Sequence, residues 1–449
     1  MAAPVRQGLS RPRAWRLEQL RRLEQAIARH GEAVLDALHR DLGKPAVEAY
    51  VELAAVRQEL RLARRRLGAW MAPQAVPVPL AVWPARAQVI AEPLGCVLII
   101  GPWNYPFNLS LQPLVSALAA GNTAVIKPSE HAPATAELIA AMLAEAFPPA
   151  TVQVVLGDGA VAATLLEQPF DHIFFTGGER VGRLVLAAAA RQLTPVTLEL
   201  GGKSPAVVLA DADLAVTSRR LVWGKALNAG QTCVAPDHLL VQRSVLKPLV
   251  ERMAARLRHC YGDDPLRSPD LARIVNRAQF ERLHHLLEGA QQSGRVLCGG
   301  RSDPASLRLG PTLIWVDDPH DPLMQEELFG PLLPVLAVDD LEDAIVRINR
   351  GPKPLALYLF SQRRAAQERL LAATSSGGVG FNDVVLQVVV PELPFGGVGA
   401  SGIGSYHGRA GFDTFSHRRS VLRRPFQLDL PLRYPPYAGR LGLMKRLLG

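Results

Sequence analysis

Cys233 follows the run Asn228-Ala229-Gly230-Gln231-Thr232, among small and polar residues, an unusual setting for a thiol that only fills a core. A free thiol has a pKa of about 8.5 and is little ionised at neutral pH, so a reactive one needs a cation, a helix N-terminus or a base beside it. Upstream, Glu199-Leu200-Gly201-Gly202 ends an apolar run, and the Glu199 side chain should emerge at the edge of a sheet near a cleft. A strand-end carboxylate is also commonly an ordinary polar residue. A third group is Asn104, in the loop Gly101-Pro102-Trp103-Asn104-Tyr105-Pro106. Its amide could donate two hydrogen bonds to an oxygen that gains negative charge when a carbonyl is attacked. It could equally satisfy its own turn.

Other groups are suggestive only in company. Lys127-Pro128-Ser129-Glu130 sets a cation and an anion three residues apart, able to hold ribose hydroxyls, although such a pair is more often simply solvated. Gly177-Gly178-Glu179-Arg180-Val181-Gly182 links a strand to a helix and lets backbone approach a phosphate. It lacks the full G-x-G-x-x-G order and reads also as a tight turn. Glu326-Glu327-Leu328-Phe329-Gly330-Pro331 offers a carboxylate beside an aromatic ring, and Pro394 to Gly399 form a glycine-rich loop. The remaining thiols carry no assigned chemistry: Cys96 lies in a strand pattern, Cys260 follows a helical run, and Cys298 precedes a Gly-Gly turn. The four cysteines show no C-x-x-C pair or His spacing suited to zinc, which argues against a disulfide framework or a structural metal.

The elements that must position these groups come in a definite order. Leu17, Leu20, Ile27, Val34, Leu35 and Leu38 recur at helical spacings, so the chain opens with helices. The Pro-rich stretch 73–84 then leads into an alternating segment near 85–92, a strand or hairpin projecting from the body. From Cys96 to Leu200 short apolar runs alternate with helical patterns, the β-α-β signature of an open parallel sheet whose carboxyl edge binds ligands. A second α/β series runs from Ala206 to about Phe381, and the active site should lie between the two.

At 449 residues and 48% hydrophobic, the chain can bury a sizeable core in two or three domains. The net charge of +9 is concentrated at the ends, +6 over residues 1–66 and +7 over 418–449. With no reader motif or interleaved aromatics, this argues against nucleic-acid binding. The basic tail from Tyr434 to Leu448 could touch an anionic membrane surface weakly or pack on a neighbouring subunit, and packing is preferred. No apolar run approaches the roughly 18 residues that span a bilayer. Glu18 and Glu24 among the N-terminal arginines fit an amphipathic helix better than a targeting peptide, so a cytoplasmic protein, at most peripheral to a membrane, is expected.

Together the motifs PWNYP, KPSE, FTG with Gly182, LELGGK, GQTC, EELFGP and PFGGVGASG occur in one order, and the chain resembles the aldehyde dehydrogenase superfamily from near its N-terminus to about Ser420. It is most similar to the class 3 type, on the absence of a long extension before the first helix, Gly404-Ser405-Tyr406-His407-Gly408, Phe412 to His417, and Tyr434-Pro435-Pro436-Tyr437. The resemblance implies an α/β fold with a Rossmann-like cofactor domain (1–74 and 93–199), a second α/β catalytic domain carrying the nucleophilic cysteine (200–385), and bridging or oligomerisation segments (75–92 and 386–449). It implies Cys233 as nucleophile, Glu199 as general base, and Asn104 with the Cys233 backbone amide as oxyanion hole. Lys127 and Glu130 would hold the adenosine ribose, Gly177 and Gly182 would flank the pyrophosphate, and Glu327 with Phe329 would position the nicotinamide end.

The implied activity is NAD(P)-dependent oxidation of medium or long aliphatic or aromatic aldehydes to acids, through a thioester on Cys233. Glu130 should disfavour a 2′-phosphate, which leans the cofactor toward NAD over NADP. Glu179 departs from the usual G-x-T-x-x-G turn and puts the phosphate contacts in question. A homodimer built through residues 73–92 and the C-terminal region is expected. The rival readings are an acylating enzyme that passes the acyl group to coenzyme A or phosphate, and a non-catalytic membrane-associated protein of the same fold.

Overall fold

The computed structural model describes residues 1–429 and 433–448; the parts of the C-terminal segment at 430–432 and 449 lie outside the described residues. Four helices open the chain, Ala3–Arg6, Arg13–Arg29, Gly31–Leu42 and Ala46–Met71. Leu20, Ile27, Val34 and Leu38 are fully buried and Leu17 and Leu35 pack at the margin of the same core, so the helical spacing reported a real apolar face. Gly43 ends the third helix at φ 63°, a left-handed cap conformation that costs glycine little.

Beyond them stand two α/β layers. The first sheet has six strands in the order Gly402–Ile403, Val196–Glu199, His172–Thr176, Cys96–Ile100, Thr123–Lys127 and Val152–Val154. All its pairs are parallel except the edge pair of Gly402–Ile403 with Val196–Glu199. Strands such as Cys-Val-Leu-Ile-Ile at 96–100 are buried along their whole length because helices cover both faces. The second sheet has seven strands, ordered Val296–Cys298, Thr312–Trp315, Leu332–Val338, His238–Gln242, Pro205–Val208, Ala356–Phe360 and Gly378–Phe381, antiparallel only at its first pair.

A third, antiparallel sheet joins Gln74–Val76, Arg86–Pro93 and Ser416–Arg423, so the projecting segment near 85–92 finds its partner in the C-terminal region. Part of the segment 386–449, read from sequence as bridging, behaves differently. Residues 402–403 extend the first sheet, and Tyr406, Phe412 and Phe415 fill its core. The short strand carries no apolar alternation, only glycine and isoleucine, so periodicity had nothing to report. Among the described residues no helix is long and apolar enough to cross a membrane.

Candidate active site

Parallel register brings four side chains to one edge of the first sheet. Ile100 pairs with Lys127 and Phe175, and Thr176 pairs with Glu199, so the chain leaves all four strands on the same side. Glu199 is hemmed between Thr176 and Gly402 and is only 2% exposed. Neither of its carboxylate oxygens has a hydrogen-bond partner among the described residues. Burial without a partner disfavours the anion and holds its pKa well above the usual carboxylate range.

Cys233 arrives from the second layer. After the helix Leu214–Ala226 the chain turns through Asn228 (φ 51°), Ala229 (φ 52°) and Gly230 (φ 74°), three left-handed residues in succession. Asn tolerates this conformation, and Gly230 is required for a second reason: a Cβ there would run into the carbonyl of Gly330. The Cys233 side chain is half-buried, and its thiol is pushed up to about 12 by burial and by the carboxyls of Glu327 and Glu199. The backbone N–H groups of Cys233 and Val234 point at the sulfur and oppose that shift.

Asn104 joins the two layers. Its Nδ2 donates to the Gln231 carbonyl at 3.1 Å, and the Tyr105 hydroxyl lies 2.7 Å from Thr232 Oγ1. Asn104 therefore does not satisfy its own turn. It reaches across the cleft to the backbone two residues before Cys233, and among the described residues its second Nδ2 hydrogen is not engaged. An amide donor, a thiol with inward-facing backbone N–H groups, and an unpartnered carboxyl thus converge on one cleft.

The residues expected to hold a nucleotide lie along the same edge. Lys127 Nζ donates to Glu130 Oε2 at 2.6 Å. Burial is the largest single influence on Glu130 and tends to raise it, but the Lys127 bond and charge, its own backbone amide and His131 together outweigh it and leave that carboxyl below its ordinary range. A Cβ on Gly177 would meet the Phe175 ring at 2.5 Å, and one on Gly182 would meet Leu200 at 2.8 Å, so the helix Glu179–Ala190 can lie close against the strand end. Gly178 opens on empty space and caps that helix with no side chain, which leaves its N–H groups available to an anion. Glu179 bonds to Arg183 one turn along at 2.6 Å, so its carboxylate is drawn away from the helix end. These features fit a dinucleotide.

The loop 326–331 closes the cleft. The Glu327 carboxylate sits where a Gly201 side chain would be and takes the Gly202 amide; burial, with Asp237 adding, pushes it up to about 8 against the pull of Lys203 and Lys225. Phe329, at φ 47°, meets Trp103 edge-on at 5.3 Å, beside Asn104. Two residues not singled out in the sequence hold this loop. Lys203 Nζ, paired with Asp237, donates to the carbonyls of Leu323 and Glu326 at 2.9 Å each, while Asp237 Oδ1 accepts from the Leu328 amide at 2.8 Å. Lys203 lies inside LELGGK and Asp237 four residues after Cys233, so proximity to the motifs was the available signal. Lys44, Glu48 and Glu52 were also missed; carboxylates at 48 and 52, one turn apart on a helix's apolar face, were their mark. Beside Val234, the residue after Cys233, a cavity of about 210 Å³ is lined by Val234, Leu355, Val379, Leu393 and Phe395 with Gln387.

Comparisons with known proteins identify the family of the chain. The sequence model of the aldehyde dehydrogenase family matches residues 8–421. Aldehyde dehydrogenase family 3 member H1 of Arabidopsis thaliana is 45% identical over 445 residues, 98% of this chain and 92% of the relative. The dimeric, NADP-preferring aldehyde dehydrogenase of Rattus norvegicus is 43% identical over 437 residues, 97% and 96% of the two chains. The substrate-bound structure of Staphylococcus aureus AldH matches with a TM-score of 0.97 at 42% identity, covering 100% of this chain and 98% of that one. The chain belongs to the aldehyde dehydrogenase family, class 3 type, and is an enzyme of NAD(P)-dependent aldehyde oxidation.

Proposed function

We propose that the enzyme oxidises apolar aldehydes to carboxylic acids through a thioester on Cys233. The observation that carries this reading is the unpartnered, buried Glu199 carboxyl facing the same cleft as the Cys233 thiol and the Asn104 amide. The Cys233 sulfur, as thiolate, bonds to the aldehyde carbon, and the carbonyl oxygen takes up the negative charge. The free Nδ2 hydrogen of Asn104 and the Cys233 backbone N–H stabilise that oxygen; a comparable donor is worth about 2.7–4 kcal/mol. When bound, the nicotinamide cofactor accepts the hydride that leaves this carbon and brings a positive charge to the site. As the C–H bond breaks, the oxyanion closes to the thioester carbonyl. Glu199, as carboxylate, then takes a proton from water, the hydroxide adds to the thioester carbon, and the C–S bond breaks to release acid and thiolate.

Acyl transfer to coenzyme A or phosphate would need no such base, so Glu199 favours water as the acceptor. The cavity beside Val234 supports aliphatic or aromatic chains, since an apolar lining strengthens binding by about 25 cal/mol for each Å² of apolar surface it removes from water. Lys127 and Glu130 would hold the adenosine ribose, Gly177 and Gly182 would admit the pyrophosphate, and Glu327 and Phe329 would fix the nicotinamide end. The anionic Glu130 favours NAD, although the rat relative is named NADP-preferring.

That relative is also named dimeric, and here the third sheet offers a homodimer edge: among the described residues Ser416–Arg423 pairs on one side only, and Leu422 on that strand and Leu80 and Trp83 before Arg86–Pro93 are exposed. The C-terminal helix Leu441–Leu448, with Leu441 and Leu443 exposed, would pack on the second copy rather than on a membrane. A reducing compartment such as the cytoplasm suits four unpaired cysteines. Reduced nicotinamide is to be followed on mixing enzyme, cofactor and a series of aldehydes without coenzyme A or phosphate. Wild type should give signal and Cys233→Ala none; signal only after coenzyme A is added would overturn hydrolysis.

A further inference from the structure

The helix Ala46–Met71 is far from the proposed catalytic residues in sequence, yet two of its carboxylates, the buried Glu52 and the half-buried Glu48, hold the segments proposed to form the oxyanion hole. Glu52 and Lys44 form an ion pair, both side chains 0% exposed. Glu52 Oε2 accepts the amides of Phe107 and Asn108 at 3.2 and 3.1 Å, at the start of the helix Asn108–Ala120. Lys44 Nζ donates to the Asn104 carbonyl at 2.8 Å and lies 4.0 Å above the Tyr105 ring. The pair thus grips the Asn104 loop at Asn104 itself and at its C-terminal end.

The same helix grips the cysteine loop. Glu48 Oε2 accepts the Asn228 amide at 2.9 Å. The Asn228 side chain then donates to the Asn104 carbonyl at 2.9 Å and to the Gln231 carbonyl at 3.1 Å, the same carbonyl that receives Asn104 Nδ2. Gln231 in turn spans to Arg273 and Val275 through its own side chain. Stability does not account for this set, because a fully buried ion pair can often be replaced by apolar residues at no cost. Geometry does: a donor aimed at a developing charge must be fixed in advance, and a displacement of about 1 Å can cost about a hundredfold in rate.

We infer that Lys44, Glu48, Glu52 and Asn228 are positioning residues that set the distance between the Asn104 amide and the Cys233 backbone N–H. The inference rests on the oxyanion role proposed above for Asn104. It extends that role to a frame supplied by the N-terminal helices.

Two reactions of the same sulfur separate positioning from mere folding. Acylation by p-nitrophenyl acetate forms the S–C bond through an oxyanion and expels p-nitrophenolate, with the thiol proton passing to solvent. Alkylation by iodoacetamide forms the S–C bond with loss of iodide and no oxyanion. Both are measured on the full chain without cofactor, for wild type, Asn104→Ala, Glu48→Leu, Glu48→Gln, Asn228→Gly and the double variant Lys44→Met with Glu52→Gln. Glu48→Leu, Asn228→Gly and the double variant should lose at least about tenfold in acylation, with alkylation unchanged within about twofold. Glu48→Gln, which keeps an acceptor for the Asn228 amide, should restore acylation. If the double variant does not fold, the Glu48 and Asn228 variants carry the test alone.

Equal loss of both reactions would show a general loss of the site and overturn the inference. So would full acylation in the Glu48→Leu and Asn228→Gly proteins while Asn104→Ala loses about a hundredfold, and in that case the role of Asn104 would stand. Full acylation in Asn104→Ala would instead defeat the oxyanion reading itself, and the inference with it.

Discussion

Replacing Glu199 with glutamine should cripple turnover and change how stability depends on pH. Its carboxyl is 2% exposed, has no partner for either oxygen among the described residues, and holds its proton well above the usual range. The sign follows from the two states. Above the unfolded value of about 4.3, the unfolded chain has lost this proton while the folded one retains it, so folding takes up a proton and stability falls as pH rises. The slope is up to about 1.4 kcal/mol per pH unit until the pH passes the folded pKa. Glutamine removes that slope, so the Glu199→Gln protein should gain on the parent as pH rises. At about 2.1 cal/mol/K per residue, the melting entropy of a chain this long converts that slope to a Tm difference growing by about 1.5 °C per pH unit.

The kinetic arm reads the same atom. A lost general base costs about a hundredfold to ten-thousandfold, here in hydrolysis of the thioester, while the first hydride transfer is spared. Rapid mixing should therefore show a burst of reduced nicotinamide near one per site followed by a slow steady state, and acid quench should yield an acyl group on Cys233. In the parent enzyme, deacylation should quicken as pH rises and Glu199 ionises. Steady-state turnover of Glu199→Gln within tenfold of the parent would refute the base assignment. A Tm difference that stays flat from pH 5 to 8 would refute the protonated resting carboxyl.

Three further outcomes follow from neighbouring contacts. Glu130→Gln removes an anion from the proposed ribose site, and the ratio of kcat/KM with NADP to that with NAD should rise about tenfold, equivalent to about 1.4 kcal/mol; an unchanged ratio would detach Glu130 from cofactor choice. Gly182→Val places a side chain into Leu200, 2.8 Å from where the first added carbon would sit, and forces the helix Glu179–Ala190 off the strand end. Cofactor KM should rise at least about tenfold while iodoacetamide still alkylates Cys233 normally. Lys203→Met frees the carbonyls of Leu323 and Glu326 and should slow the hydride burst by about tenfold more than it slows ester acylation; equal slowing would show that the loop with Glu327 is not what Lys203 steadies.

The sequence displayed the α/β alternation because each buried strand is a short apolar run bounded by turns, and it displayed Cys233, Glu199 and Asn104 because each sits in a local motif. What it hid were contacts made across long separations. Glu52 meets Phe107 through 55 residues and Glu48 meets Asn228 through 180, and neither distance leaves a local pattern beyond a carboxylate on an apolar face. Asn104 was legible as a donor but not as a bridge, since its partner Gln231 lies 127 residues on. The edge strand Gly402–Ile403 was illegible for a different reason: its pairing is set by backbone hydrogen bonds and by the narrow space beside Leu198, not by side-chain period.

That edge strand bears on how the enzyme is made. A ribosome delivers Glu199 and Cys233 well before residue 402, so a nascent chain owns the full chemical set while the flank of Glu199 is still bare and the Phe412 and Phe415 side chains that finish the first core are still unmade. Until residues 402–415 have been added, water can reach and ionise that carboxyl from its open side. A stalled or truncated product ending near residue 400 should therefore carry an exposed thiol and exposed core, and be marked for degradation rather than left as a partial catalyst.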